Sequence, residues 1–183
     1  MNFAVRDRRD CLQQSPKVLR DHFFTTDFYE KLTRERVGYC YPNVQRWTKQ
    51  INWDEIDHLF IPICKPNHFV LILVEFASKS ICYYESLLNE DIRDGALAMY
   101  RHILKWVHDE FLRKLSIHID GKKWLFQVVQ DAPQQLNDFD CGVFVCKYAD
   151  YLSSGCSLTF DQSLFPYFRQ RMLIEIAAGT LLL

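Results

Sequence analysis

The sequence lacks the patterns of a metal-binding, secreted or membrane-spanning chain. Its seven cysteines include no Cys-x-x-Cys pair, its six histidines are scattered, and no Asn-x-Ser/Thr glycosylation acceptor occurs. Structural zinc sites need clustered Cys or His ligands, so no metal or other cofactor is expected. No apolar run could span a bilayer, and the first residues do not read as a signal peptide. These absences predict a soluble intracellular protein with reduced cysteines.

The charge balance also lacks an excess of either sign. There are 22 Lys and Arg against 23 Asp and Glu, a formal net charge of -1. No large electrostatic field then draws the chain to nucleic acid or to an anionic membrane, and neither is an expected partner. With 183 residues, of which 49% are hydrophobic, the chain is expected to form a single globular domain over 1–183 and to act as a monomer.

The order of predicted elements indicates an α+β domain. Runs rich in β-forming residues predict strands at 59–63, 68–76, 80–84 and 124–129, the second and third forming a hairpin. Apolar spacing of three and four predicts helices at 94–115, 141–152 and 165–176. The first of these helices is expected to cover the sheet with Leu97, Tyr100, Leu104, Val107, Phe111 and Leu115. The opening third is predicted to form short helical pieces broken at Pro16 and Gly38.

Cys141 stands at the start of a predicted helix, within Asp140-Cys141-Gly142. A thiol attacks as its thiolate, which the partial positive charge and free N–H groups of a helix N-terminus favour. The alternative is a small buried hydrophobe, the usual role of an intracellular cysteine. That alternative is kept for the other six, and Cys146, one turn later, is expected to face the core.

A cysteine nucleophile needs a base, and the base needs a group that orients it. His68 begins a β-rich run, and Glu85 ends the second arm of the same predicted hairpin, so the two can lie side by side. No such partner is visible for the other histidines. An acyl-transfer reaction also needs donors for its oxyanion, for which the N–H of Cys141 and an amide from Gln134, Gln135 or Asn137 are all suitable.

The segment 133–150 reads Pro-Gln-Gln-Leu-Asn-Asp-Phe-Asp-Cys-Gly-Val-Phe-Val-Cys-Lys-Tyr-Ala-Asp. It resembles, almost position by position, the nucleophile segment of the sentrin-specific or ubiquitin-like-protein proteases. The similarity extends to 46–49, 68–86, 160–162 and 166–172, and so covers nearly the whole chain.

This resemblance implies a papain-like cysteine peptidase fold with a small, mostly antiparallel central sheet flanked by helices. It implies that His68 is the base, Glu85 the third member, Cys141 the nucleophile and Gln135 the oxyanion donor. The implied substrate is the C-terminal Gly-Gly peptide or isopeptide bond of a SUMO-type modifier, and the implied location is nuclear or nucleocytoplasmic.

The chain departs from the family pattern at three places. The third member is usually Asp and here is Glu85, as in the related adenovirus protease. Phe69 replaces the Trp that follows the histidine and keeps an aromatic wall for the substrate channel. The Trp-Leu-Asn-Asp segment that usually precedes the first helical region is missing, so the domain is expected to be N-terminally shortened.

Other functions fit the same residues. One alternative is a protease for another ubiquitin-like modifier, and another is an acetyltransferase of the bacterial effector type, which also orders His, Glu and Cys. A non-catalytic module that binds a ubiquitin-like protein would keep the fold and lose the reaction. Release of a fluorophore from a modifier C-terminus distinguishes a peptidase from the last two.

Overall fold

The computed structural model describes residues 20–34, 38–87 and 92–180. The strands are β1 (Asp21–Phe23), β2 (Thr33–Arg34), β3 (Gly38–Tyr39), β4 (His58–Lys65), β5 (His68–Glu75), β6 (Ser80–Tyr84) and β7 (Leu125–Val128). The α-helices are α1 (Asp27–Leu32), α2 (Ile92–Leu115), α3 (Cys141–Ser153) and α4 (Phe165–Ala178). In this part of the chain, no helix is both long enough and apolar enough to cross a membrane.

The main sheet has the order β1-β4-β5-β6-β7. Strands β4, β5 and β6 are antiparallel, and β1 and β7 pair in parallel at the two edges. Helices cover both faces, since one apolar cluster contains Leu71 and Leu73 with α3 and α4, and another contains Val70 and Ile72 with α2. The predicted α+β class, with its mostly antiparallel sheet flanked by helices, is confirmed.

A two-residue turn between β4 and β5 determines where His68 lies. Lys65 is paired with His68, so only Pro66 and Asn67 make the turn. Proline presets the backbone angle for the first turn position, and Asn67 takes φ 60, a left-handed value that asparagine tolerates. His68 is therefore the first residue of its strand, at one end of the sheet.

Helix α2 covers the sheet as predicted, and Tyr100, Leu104, Val107 and Phe111 of the predicted face pack in its apolar cluster. Most of the fully buried positions lie one residue earlier than predicted, and they include the polar Glu110. Its carboxylate accepts hydrogen bonds from Tyr41 Oη at 2.6 Å and from the Thr48 hydroxyl. A buried charge is tolerated when it is hydrogen-bonded, and these partners are distant in sequence. The other buried residues of the helix are Ala96, Ile103, Trp106 and Val107.

The N-terminal region contains more strand than predicted. Within the described ranges it holds the helix α1, but also β1 and the short β2–β3 pair. A strand of two or three residues is too short to show a period in the sequence, and β1 owes its conformation to its pairing with β4. The predicted break at Pro16 lies outside the described residues.

Candidate active site

Cys141 is the first residue of α3 and is 6% exposed. The side chain of Asp140, at the N-cap position, makes no capping hydrogen bond to the first turn. The partial positive charge at the start of α3 is therefore not reduced by a hydrogen bond from this side chain. Val143 and Phe144 are buried and fix the first turn against the core.

His68 and Glu85 come together at the end of the β5–β6 hairpin. Tyr84 is paired with Leu71 in the register of the two strands, and Glu85 follows directly after β6. The Nε2 atom of His68 forms a hydrogen bond with Oε1 of Glu85, a carboxylate that is 1% exposed. This contact occupies one ring nitrogen and leaves Nδ1 for another group.

Two further side chains hold the Glu85 carboxylate. Tyr83 Oη donates a hydrogen bond to its Oε2 at 2.9 Å, and Lys65 Nζ lies 3.7 Å from the same oxygen. Lys65 Nζ also donates to Tyr83 Oη at 2.7 Å. Burial and the nearby Glu85 charge raise the pKa of Tyr83 well above its usual range, so the phenol remains a donor.

Sequence reasoning missed both of these side chains, although a signal for each was present. Tyr83 lies two residues before Glu85, and alternate residues of a strand share one face. Lys65 is the residue paired with His68 across the turn. Burial lowers the pKa of Lys65, and this effect outweighs the raising effect of Glu85.

Pairing with a carboxylate does not by itself distinguish His68. His58 Nδ1 lies 2.9 Å from Asp21, and His108 Nδ1 lies 3.3 Å from Asp109, so the expectation that these histidines lack partners is wrong. The His58–Asp21 pair was not predicted because β1, which contains Asp21, was not predicted. The His108–Asp109 pair was not predicted although the two residues are neighbours in sequence. His68 differs from these two histidines in its position. It is the first residue of β5, and β5 packs against α3, the helix that begins at Cys141.

The Phe69 side chain, on β5, lies against the start of α3. A side-chain Cβ placed on Gly142 would stand 3.8 Å from Cδ2 of Phe69, so the start of α3 lies directly beside this ring. Phe69 is partly buried and packs against the apolar cluster of α3 and α4. The ring thus forms an aromatic wall next to Cys141.

The three amides that the sequence left open as oxyanion donors lie in the loop before α3, and they make different hydrogen bonds there. Nε2 of Gln134 donates to two backbone carbonyls, those of Glu85 and Ala132, each at 2.9 Å. Both hydrogens of that amide are therefore used. Nδ2 of Asn137 donates to Asp140 at 2.7 Å, which ties this amide to its own loop.

The Gln135 amide is oriented by a residue outside the loop. Its Oε1 accepts a hydrogen bond from Ser86 Oγ at 2.7 Å, which fixes the orientation of the amide. Its Nε2 donates to the Asn137 carbonyl, and this single bond, like that of Asn137 Nδ2, leaves a second hydrogen on the NH₂ group. The contribution of Ser86 was not visible in the sequence, because it lies 49 residues away.

The expectation that Cys146 faces the core is wrong. Its side chain is exposed, whereas Lys147 is buried and donates to Asp150 at 2.9 Å. The long lysine turns inward because its charge has a partner, so residue 147 rather than residue 146 lies on the buried face of α3.

Among residues 20–34, 38–87 and 92–180, no three His, Cys, Asp or Glu side chains cluster closely enough to hold a metal ion.

Comparisons with known proteins agree with this architecture. Ubiquitin-like-specific protease 1A of Arabidopsis thaliana is 37% identical over 169 residues, covering 90% of this chain and 32% of that protein. Sentrin-specific protease 2 of Homo sapiens is 34% identical over 163 residues, covering 88% of this chain and 26% of that protein. The chain thus spans about a third or less of the length of these relatives.

The solved structures include a similar domain. The C-terminal Ulp1 protease domain in complex with Smt3, the yeast ortholog of SUMO, has a TM-score of 0.66 at 27% identity, covering 89% of this chain and 70% of that one. The family model described as "Ulp1 protease family, C-terminal catalytic domain" matches residues 1–179. The chain therefore belongs to the Ulp1 protease family.

Proposed function

We propose that this chain is a cysteine peptidase that hydrolyses the C-terminal Gly-Gly peptide or isopeptide bond of a SUMO-type modifier. It would both process the precursor and release the modifier from its conjugates. The observation that carries the proposal is the hydrogen bond of His68 with the buried Glu85 carboxylate, at the start of the strand against which the Cys141 helix packs. The complex of the similar yeast domain with Smt3 supports the choice of substrate.

Acylation begins when Nδ1 of His68 takes the thiol proton of Cys141, since Nε2 is bound to Glu85. The sulfur attacks the carbonyl carbon of the terminal glycine, and the carbonyl electrons move to oxygen. The Cys141 N–H and Nε2 of Gln135 donate to that oxyanion. Collapse expels the amine, which receives the proton from His68 and leaves a thioester.

Deacylation repeats the sequence with water. His68 takes a proton from the water, whose oxygen attacks the thioester carbon. The C–S bond then breaks, the glycine carboxylate leaves, and the sulfur regains its proton. Throughout, Glu85 orients the imidazole and stabilises its charged form. Phe69 lines the channel beside Cys141, where a Gly-Gly terminus fits and larger residues do not.

A fluorogenic substrate, in which a SUMO C-terminus carries a coumarin amide, tests this function. We expect catalytic release of the fluorophore and covalent capture of Cys141 by a SUMO bearing a C-terminal electrophile. A chain that binds SUMO and releases nothing is a binding module, and one that is acylated by acetyl-coenzyme A is a transferase. Turnover of another ubiquitin-like modifier in place of SUMO would reassign the substrate.

The proposal extends to partners and location. The chain works as a monomer on a SUMO-type modifier and its conjugates, without nucleic acid or membrane, and acts in the nucleus or between nucleus and cytoplasm. The near-neutral charge supports the absence of a nucleic-acid partner. Imaging of the tagged chain in cells tests the nuclear location.

The oxyanion hole yields a paired prediction. We expect Gln135→Ala to lower kcat about a hundredfold or more, the usual effect of deleting one oxyanion donor. Gln134→Ala is the matched control, because it removes the same amide from hydrogen bonds to the Glu85 and Ala132 carbonyls. We expect it to lower the unfolding temperature and, through its hydrogen bond to the Glu85 carbonyl, to lower kcat by a much smaller factor than Gln135→Ala does. A larger loss of kcat in Gln134→Ala than in Gln135→Ala would contradict the assignment.

A further inference from the structure

The Asp140 carboxylate, directly before the proposed nucleophile, is more heavily hydrogen-bonded than its N-cap position requires. Asp140 is 4% exposed. Its Oδ2 accepts from Asn137 Nδ2 at 2.7 Å and from Gln162 Nε2 at 2.8 Å. Its Oδ1 accepts from Nε of Arg169 at 3.1 Å and from Nη2 of the same guanidinium. These donors come from the loop, from the short helix before α4 and from α4 itself.

Gln162 connects the two ends of the loop that carries the catalytic groups. While its Nε2 binds Asp140, its Oε1 accepts a hydrogen bond from the backbone N–H of Leu136. Leu136 follows Gln135, and Asp140 precedes Cys141. One amide therefore spans the distance between the proposed oxyanion donor and the proposed nucleophile.

Polar contacts hold the end of this loop, from Leu136 to Asp140. Its two large hydrophobic side chains point outward, Leu136 being 90% exposed and Phe139 69% exposed. Nη2 of Arg169 also donates to the Phe139 carbonyl at 3.3 Å. Ser86 holds the start of the loop at Gln135, and the position of residues 136–140 relative to it therefore depends on Asp140, Gln162 and Arg169.

The Asp140 charge would oppose a neighbouring thiolate if it stood alone. Burial raises the pKa of Asp140, but the hydrogen bonds from Asn137, Arg169 and Gln162 outweigh it and hold that pKa below its ordinary value. The carboxylate is thus ionised at neutral pH, and the Arg169 guanidinium balances it. On the sheet side, the titratable groups near the site include His68, Glu85 and Lys65.

We propose that Asp140, clamped by Gln162 and Arg169, is a positioning residue that fixes the Gln135 amide relative to the Cys141 sulfur. This role rests on the proposed function, because it matters only for a reaction that passes through an oxyanion. A displacement of catalytic groups by about 1 Å is enough to lower a rate roughly a hundredfold. Loss of the neutral Gln162 keeps the Asp140–Arg169 charge balance, so it acts on acyl transfer and leaves the intrinsic reactivity of the thiol intact.

Two reactions of Cys141 distinguish a misplaced oxyanion donor from a less reactive thiol. Hydrolysis of the SUMO coumarin amide needs the oxyanion donors, whereas alkylation by iodoacetamide displaces iodide from a saturated carbon and forms no oxyanion. We expect Gln162→Ala to lower kcat about tenfold to a hundredfold. KM should stay within about threefold and the alkylation rate constant within about twofold, since neither depends on the loop register.

Arg169 provides the rescue test, and Arg171 provides the matched control. We expect Arg169→Gln to lower kcat at least as much as Gln162→Ala does and, because the Asp140 charge is then unbalanced, to lower the alkylation rate constant by a smaller factor than kcat. Arg169→Lys should recover part of both losses by keeping the charge. Arg171 lies on the same helix and pairs with Glu175 at 2.7 Å, away from Asp140. Arg171→Gln should lower the unfolding temperature without changing the ratio of turnover to alkylation.

The outcomes distinguish the clamp from the function on which it rests. A wild-type chain that releases no fluorophore overturns the proposed function, and the positioning role with it. An active wild type whose Gln162→Ala variant keeps kcat within twofold overturns the positioning role alone. Turnover and alkylation that fall in equal proportion overturn it as well, because a general loss of structure then explains both.

Discussion

Replacing Cys141 with serine will abolish turnover of the SUMO coumarin amide while leaving the modifier bound. The hydroxyl is a far weaker nucleophile at neutral pH, yet it occupies nearly the same space at the start of α3. We expect kcat to fall about a thousandfold or more, as it does when an enzyme loses its covalent nucleophile. Binding of uncleaved modifier, measured by calorimetry, should stay within a few-fold of the wild type.

Cys146→Ser is the matched control, because it makes the same atomic change on the same helix. The structure leaves the Cys146 side chain exposed, so we expect little effect on either turnover or unfolding temperature. Residual hydrolysis by Cys141→Ser within tenfold of the wild type would count against Cys141 as the nucleophile. So would an equal loss in Cys146→Ser per folded molecule.

Elements with strong local patterns were predictable from the sequence. The hairpin from His68 to Tyr84 is a long run of β-forming residues with one interruption, and the structure has it as β5 and β6. Helix α3 was predicted to begin at Cys141 and does so, since its apolar spacing starts there. Local propensity and burial favour the same conformation in these segments, so the spacing of apolar residues in the sequence matches the secondary structure that forms.

Features that depend on distant partners were not predictable. The buried face of α2 includes Glu110 because Tyr41 and Thr48, about 60 to 70 residues earlier, donate to it. The outward side chain of Cys146 follows from the inward turn of Lys147. Spacing alone could not show that Gln134 Nε2 donates to the Glu85 and Ala132 carbonyls, because the contact with Glu85 forms only in the folded chain.

Replacing Glu85 with glutamine is expected to lower kcat about a hundredfold or more while the fold persists. The substitution keeps the shape but removes the negative charge beside His68, so the imidazolium and the thiolate are both less favoured. The pH midpoint of Cys141 alkylation should therefore move upward. Tyr83→Phe is the control, since it removes one donor to Glu85 without touching His68. An unchanged kcat together with an unchanged alkylation midpoint in Glu85→Gln would exclude Glu85 from the catalytic group.

Glu85→Asp tests the departure from the usual aspartate more directly. A shorter side chain reaches His68 only if the backbone at 85 moves toward it. The backbone is pinned there, because the Glu85 carbonyl accepts from Gln134 Nε2 at 2.9 Å and the Ser86 carbonyl accepts from Gln135 N at 2.8 Å.

Movement of residue 85 would therefore also displace the loop that holds the proposed oxyanion donor. We expect Glu85→Asp to lower kcat about tenfold or more, as a misplaced orienting group does, and to raise the alkylation midpoint less than Glu85→Gln does. Turnover and alkylation against pH, each per folded molecule, measure both effects. Activity in Glu85→Asp equal to or above the wild type would mean that the site has kept the geometry of an aspartate. The hydrogen bonds to the carbonyls of Glu85 and Ser86 would then not be the reason for a glutamate at this position.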